Sequence, residues 1–307
     1  MPEAAPLNTN EGPPGGQAFW LRASDGVRLR IALWPGARGT VLVLPGRTEY
    51  IEKYALVAGD LARAGWGALV IDWRGQGLSD RLAGDAALGH VGHFSDYQLD
   101  IAAARTAAGT LGCTAPMPVL AHSMGGCIGL RALCDGLQTP AAAFSAPMWG
   151  LPLSRIKQLG IRTMARLTRP LGRDTGYLPT TGPQYGLPSM AFADNPLTRD
   201  AEQFARMQSH IRETPALALG GPSLRWGGAA LSEMAALTRL PAPDVPALIG
   251  LGGNERIVRP AAIRAQAARW PRAELVDYPG AEHELLMETP QTRDDFLSRA
   301  LALFKRA

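Results

Sequence analysis

Short apolar runs alternate along the chain with longer segments whose apolar residues recur at helical spacing. The stretches 18–23 (AFWLRA) and 27–34 (VRLRIALW) flank Ser24-Asp25-Gly26 and predict a hairpin. TVLVLPG (40–46) predicts a buried strand running into a Pro-Gly turn, and the next segment an amphipathic helix closing at Gly65. GALVID (67–72) reads as a strand, and 94–111 as a helix with Ser95 as its N-cap. Further strands are expected at 118–121, 141–147, 245–253 and 273–278, and further helices at 124–134, 260–270 and 293–307. An opening hairpin followed by alternating strands and helices predicts a mostly parallel, doubly wound α/β sheet.

Residues 148–240 break this rhythm with many prolines, several helical stretches and no convincing buried strand. They are expected to form a helical lid inserted between core segments 18–147 and 241–307. Residues 1–17 are polar and rich in Pro and Gly, and lack the basic start and apolar middle of a secretion signal. They read as a flexible tail.

The sharpest local signal is PVLAHSMGGCIGLRALC (118–134), where a strand reverses into a helix around Ser123 with almost no loop. Such an elbow strains its central residue and needs small neighbours, here Ala121 and Gly125. It exposes a hydroxyl beside the unpaired first amides of a helix, which supplies a nucleophile and half of an oxyanion hole. The pattern is the looser small-x-Ser-x-Gly, so an ordinary serine in a tight joint is the competing reading.

A base and an acid decide between them. His122 adjoins the serine, but adjacent side chains on an elbow are expected to diverge; His90 and His93 precede a helix, and His210 lies in the insertion. His283 sits in the loop after the last strand, at the catalytic edge, and fits the chain order Ser…acid…His. Its competing reading is a solvent-exposed loop histidine. The acid is expected after the penultimate strand, where Glu255 stands alone. Asp244 precedes that strand, Asp277 lies within the last one, and the competing role for Glu255 is a surface pair with Arg256. The backbone amides of Arg47, in the turn after 40–46, and Met124 are the expected oxyanion donors.

Composition narrows the class. The 307 residues carry a net charge of +4, too mild to imply nucleic acid, and 46% hydrophobic content is ample for a core. No apolar run approaches a membrane span. Cys113, Cys127 and Cys134 are odd in number; Cys127 and Cys134 lie too far apart along one helix to bridge, so all read as reduced packing residues of a cytoplasmic protein. No Cys or His spacing suggests zinc or another metal.

The segments VLPGRTEYIEKY, VIDWRGQGLSDR, LGHVGHFSDY, LAHSMGG, SAPMWG, GGPSLRW, NERIV and GAEHELLMET together resemble the bacterial lysophospholipase and monoacylglycerol lipase family of α/β-hydrolases, the L-two type of lysophospholipase above all. The resemblance runs from about 18 to 305. It implies an α/β-hydrolase fold, a triad of Ser123, Glu255 and His283, oxyanion positions at Arg47 and Met124, and hydrolysis of monoacyl lipid esters without metal or cofactor. PGR replaces the common His-Gly pair at 45–46, and glutamate replaces aspartate at 255. A general carboxylesterase and a catalytically silent ligand-binding member of the fold are the other readings. The head group, acyl length and oligomeric state stay open.

Three further expectations concern one core loop and the lid. Asp72 and Arg74 read as pins of the 72–81 loop, which Gly75 and Gly77 make tight. In the lid, Arg225 and Trp226 read as a phosphate or glycerol contact or as packing. Arg155, Arg162, Arg166, Arg169 and Arg173 fall on one helical face and Ile156, Met164, Leu167 and Leu171 on another, with Pro170 ending the helix. Either a solvated cationic face covers a buried apolar one, or the helix meets an anionic membrane surface at the inner face of the membrane.

Overall fold

The computed structural model describes residues 2–113 and 117–307. Its strands are β1 (Glu3–Ala5), β2 (Gln17–Arg22), β3 (Arg28–Trp34), β4 (Thr40–Leu44), β5 (Gly67–Asp72), β6 (Val119–His122), β7 (Ala142–Ser145), β8 (Ala247–Gly252) and β9 (Ala273–Tyr278). They form one sheet in the order β1-β2-β3-β5-β4-β6-β7-β8-β9. The pairs from β1 to β5 are antiparallel, and every pair from β5 through β4 to β9 is parallel. This is the α/β-hydrolase arrangement.

The helices are α1 (Ala55–Arg63), α2 (Asp96–Thr110), α3 (Ser123–Cys134), α4 (Arg155–Thr168), α5 (Ala201–Glu213), α6 (Leu224–Leu237), α7 (Pro260–Ala268) and α8 (Pro290–Arg306). Strand periodicity sorts the core onto two faces. Leu42, Leu44, Leu69 and Ile71 pack with α2, α3 and α7 residues such as Ile101, Ile128 and Ile263. Val41, Val43, Ala68 and Val70 pack on the opposite face with Val57 and Leu61 of α1 and Phe296 and Phe304 of α8. Both strand faces are covered, so these strands read as unbroken apolar runs rather than alternating ones.

Between β7 and β8 the chain runs through α4, α5, α6 and several single 3-10 turns. Leu187, Phe204, Met207, Ile211 and Leu217 form a small core of their own there, joined by Tyr50 from beneath.

Three sequence expectations change. Residues 3–11 do not run as a free tail: β1 pairs with β2, the Pro6 carbonyl accepts from Arg30, and Glu11 meets Arg206 of α5. Ser95 makes no side-chain cap; the Asp96 carboxylate accepts the His93 amide instead. On α4 the apolar stripe is the outward one. Ile156, Leu159 and Leu167 are 84%, 66% and 70% exposed and Leu171, in the turn just after the helix, 68%, while Ile161, Arg162 and Ala165 turn toward the body. Amphipathicity announces two faces but not which one finds a neighbour. Among the described residues no helix is long and apolar enough to cross a membrane.

Candidate active site

β6 ends at His122 and α3 begins at Ser123, with no residue between. Ser123 has φ +47°, a left-handed value that costs a non-glycine residue free energy. Gly125 is required two positions on: a Cβ there would lie 2.0 Å from the Leu44 carbonyl oxygen, so only glycine lets α3 start against the end of β4. Thr48 and Ala146, in the loops after β4 and β7, also have positive φ, at +65° and +42°. Three of the four such residues described therefore cluster at the C-terminal edge of the central strands, where α/β sheets place their sites.

Ser123 Oγ lies 2.9 Å from His283 Nε2, and His283 Nδ1 lies 2.7 Å from Glu255 Oε2. The carboxylate can only accept, so Nδ1–H donates to Glu255 and Nε2 is left to accept the serine hydroxyl. Burial pushes the Glu255 pKa up, but the hydrogen bond and charge of His283, with the amides of Val258 and Ile257, hold it below its ordinary value. Glu255 is buried rather than paired with Arg256, which reaches Asn195 O and Glu282. Asp277 binds exposed Arg264, and Asp244 binds Arg272, so neither reaches His283.

Arg47 sits in the turn after β4, and Met124 is the second residue of α3, whose first-turn amides have no intrahelical acceptor. The turn is clamped from three directions. Trp73 Nε1 donates to Pro45 O, Gln76 Nε2 to the carbonyls of Gly46 and Glu49, and the Gly46 amide to the Glu49 carboxylate. Below it, Asp72 accepts from the Ile51 and Leu78 amides and from Arg30, while Arg74 binds Asp100 and Asp25. Both therefore hold loops rather than face the serine. Gly77 has φ +57° and lies against the Asp72 carboxyl, where a Cβ would clash.

The sequence reading missed a buried charge cluster beside the triad. Lys53 Nζ binds Glu49 at 2.6 Å and Glu284 at 2.7 Å, all within the interior. Burial opposes both charges, yet the two carboxylates raise the Lys53 pKa, and Lys53 with its neighbours holds Glu49 below the carboxylate range. Burial, reinforced by nearby Glu49, raises Glu284 despite Lys53. His122 does not diverge from the site: its ring centroid lies 4.7 Å from that of His283. Its Nδ1–H donates to the Ser145 carbonyl, and burial pulls its pKa down to about 3, so it is neutral packing beside the triad. Glu49, His122 and Glu284 are close enough to share a metal ion, but the Lys53 ammonium already bridges the two carboxylates. The EYIEK spacing put Glu49 and Lys53 one helical turn apart; nothing local pointed to Glu284.

A cavity of about 370 Å³ opens over Ser123. Its lining is largely apolar, with Met148, Leu151, Leu187, Met190, Leu197 and Met207, and it also includes Arg47, Tyr185 and Trp226. Trp226 donates its indole N–H to the Tyr97 hydroxyl. Arg225 is not part of this cavity. It forms two hydrogen bonds to Asp174, at 2.5 and 2.7 Å, and faces a separate cleft between α4 and α6.

A profile of the family described as "Serine aminopeptidase, S33" matches residues 35–290. Lysophospholipase L2 of Escherichia coli K12 is 38% identical over 194 residues, covering 61% of this chain and 54% of that protein; the match thus spans about half of the relative's length. A probable lysophospholipase L2 of Haemophilus influenzae is 29% identical over 263 residues, 85% of this chain and 82% of its own. Among solved structures, a soluble variant of monoglyceride lipase from Saccharomyces cerevisiae superposes with a TM-score of 0.73 at 19% identity, over 98% of this chain and 99% of that one. That likeness speaks to fold. The family profile spans most of the sequence, and the chain belongs to the serine aminopeptidase S33 family of α/β-hydrolases.

Proposed function

We propose that the protein is a serine hydrolase that cleaves carboxylic esters of monoacyl lipids, lysophospholipids or monoacylglycerols, through an acyl-enzyme. The observation that carries this reading is the hydrogen-bonded line Glu255–His283–Ser123 opening on a cavity with a largely apolar lining. The names of the bacterial relatives support the substrate class.

In this mechanism His283 Nε2 takes the Ser123 proton as Oγ attacks the ester carbonyl. Glu255 holds the imidazole in the required tautomer and stabilises the imidazolium. The Arg47 and Met124 amides receive the oxyanion. Protonated His283 returns its proton to the departing glycerol oxygen, and a water activated by the same nitrogen then releases the fatty acid. No cofactor is called for.

The outward stripe of α4 supports peripheral contact with an anionic membrane surface. Ile156, Leu159, Leu167 and Leu171 offer apolar area, and exposed Arg155, Lys157, Arg166 and Arg173 lie beside them on the same segment. A helix of this composition beds its apolar face at the level of lipid head groups and is drawn there by anionic lipid. The inner face of the cytoplasmic membrane is the proposed place of action.

The test is fluorophosphonate labelling together with turnover on monoacylglycerols, lysophospholipids and short p-nitrophenyl esters. Labelling at Ser123 with acyl-lipid turnover, both abolished in Ser123→Ala, is expected. Labelling with turnover of short esters only would make it a general carboxylesterase, and no labelling would make it a silent binding member of the fold.

A further inference from the structure

Two charged groups that border the cavity from beneath, Glu49 and Glu284, are neutralised by Lys53. Arg47 is not neutralised. Among the described residues no carboxylate lies within ion-pair distance of it. Its Nη2 donates to the Gly220 carbonyl at 2.6 Å, and its Nε is buried with no acceptor at all. The guanidinium lies 5.3 Å from the centre of the Trp226 ring, a cation–π contact, and the neutral phenols of Tyr97 and Tyr185 are nearby. Burial pulls its pKa down to about 10, so it remains a cation near neutral pH.

Arg47 is half-buried, and a cation even partly withdrawn from water without a counter-ion is unfavourable to folding. A rim arginine could recover its hydration by swinging out; this one is held by Gly220, Trp226 and Gly89, against which its Nη2 packs. The missing anion has a natural source. The apolar lining suits an acyl chain, and Arg47, which lines the same cavity over the Trp226 ring with no carboxylate partner, suits the polar end of the same molecule. The Arg47 side chain also starts from the residue proposed above to supply an oxyanion amide. In a lysophospholipid the glycerol backbone separates the phosphate from the scissile carbonyl by about the length of an arginine side chain. A monoacylglycerol has no charge to offer there.

We infer that the Arg47 guanidinium receives the head-group phosphate of the substrate and makes the site selective for lysophospholipids over monoacylglycerols. This rests on the reading of Ser123 as the nucleophile of a monoacyl-lipid hydrolase. It moves head-group recognition from Arg225, which Asp174 already neutralises, to the turn that also carries an oxyanion amide. A guanidinium is suited to a phosphate because its N–H groups match the anion's oxygens in a plane.

The experiment compares kcat/KM on 1-acyl lysophosphatidylcholine, 1-acyl lysophosphatidylglycerol and 1-monoacylglycerol of one short acyl chain, each below its critical micelle concentration. Wild type, Arg47→Gln and Arg47→Lys are measured, with fluorophosphonate labelling and thermal unfolding as controls for folding. The readout is the ratio of phospholipid to glycerolipid turnover, because disturbing the turn slows both. Wild type is expected to favour the two phosphate-bearing substrates. Arg47→Gln is expected to lower the ratio roughly 10- to 100-fold, the range for a lost hydrogen bond to a charged group, and Arg47→Lys to restore part of it. An unchanged ratio in a folded, labelled Arg47→Gln overturns the inference, and Arg47 is then a structural latch. A wild type that is labelled at Ser123 but cleaves neither lipid class overturns the parent reading instead.

Discussion

Lys53, buried, and Arg47, half-buried, are cations bordering the same cavity, six residues apart, and they differ in company. Lys53 lies between two carboxylates and its pKa rises; Arg47 has a carbonyl and an aromatic face and its pKa falls. Lys53 is taken out of water and Arg47 partly so, but only Lys53 is given its counter-ion by the fold. Pairing marks Lys53 as architecture that braces the turn through Glu49. Its absence marks Arg47 as an acceptor of something the chain does not contain. A charge list drawn from the sequence alone would treat the two alike.

The comparison can be broken at several points. The largest effect is expected at the pair that joins charge to chemistry. Glu255→Gln keeps the shape of the side chain but not the charge behind His283, and kcat should fall roughly 10³- to 10⁴-fold with KM little changed. Asp277→Asn, on an exposed pair with Arg264, should stay near wild type in the same steady-state assay. If Asp277→Asn is the crippled variant, Glu255 is not the orienting acid.

Next in size is Lys53→Met. It leaves Glu49 and Glu284 buried together without their cation, and unfolding in denaturant should show a loss of about 3–5 kcal/mol. Glu284→Gln should be much milder, because Lys53 keeps Glu49 and burial already favours the neutral form of residue 284. Equal losses in the two variants would mean that Lys53 is not the keystone of the cluster.

Arg47→Met should do the opposite of Lys53→Met and raise stability, on the order of 1 kcal/mol, since an apolar side chain replaces an unpaired charge. The sign of the pH dependence follows. The folded pKa, about 10, lies below the unfolded value, so the folded protein binds the proton less tightly. The penalty is complete below about pH 10 and fades as pH rises through it. Denaturant unfolding of wild type and variant from pH 8 to 10.5 should show the gap narrowing at the alkaline end. A variant less stable than wild type at pH 8 would show that Gly220 and Trp226 outweigh the unpaired charge.

The smallest effect on folding is expected on α4. Leu167→Ser, at an exposed position, should change unfolding by less than about 0.5 kcal/mol yet weaken binding to anionic vesicles. Wild-type binding should rise with anionic lipid and fall with salt. Equal binding of wild type to neutral and anionic vesicles at every salt concentration would remove α4 from the membrane reading.

What could be read from the sequence was local or set by chain order. The strand-to-helix elbow at Ser123 is written in consecutive residues, and the sheet follows from alternating strands and helices. The approach of Glu255 and His283 to the serine follows from which strand each loop succeeds. What escaped depends on partners distant in the chain. Arg225 was read as a head-group contact or as packing because its partner Asp174 lies 51 residues away, and Lys53 drew no reading because Glu284 is supplied by another loop. His122 was expected to point away from the site; its ring packs against His283 because the chain folds that loop over it. The first residues looked unstructured because a three-residue strand has no periodicity of its own.

The left-handed backbone at Ser123 shapes how such a chain decays once selection for turnover relaxes. Glycine at 123 removes the hydroxyl and the steric penalty in one substitution, so the loss of chemistry is downhill in conformational free energy. Alanine keeps the strain and gains nothing. In lineages where this elbow has gone silent, glycine is therefore the expected fossil at the position, and a retained serine is a sign that the chemistry is still being selected.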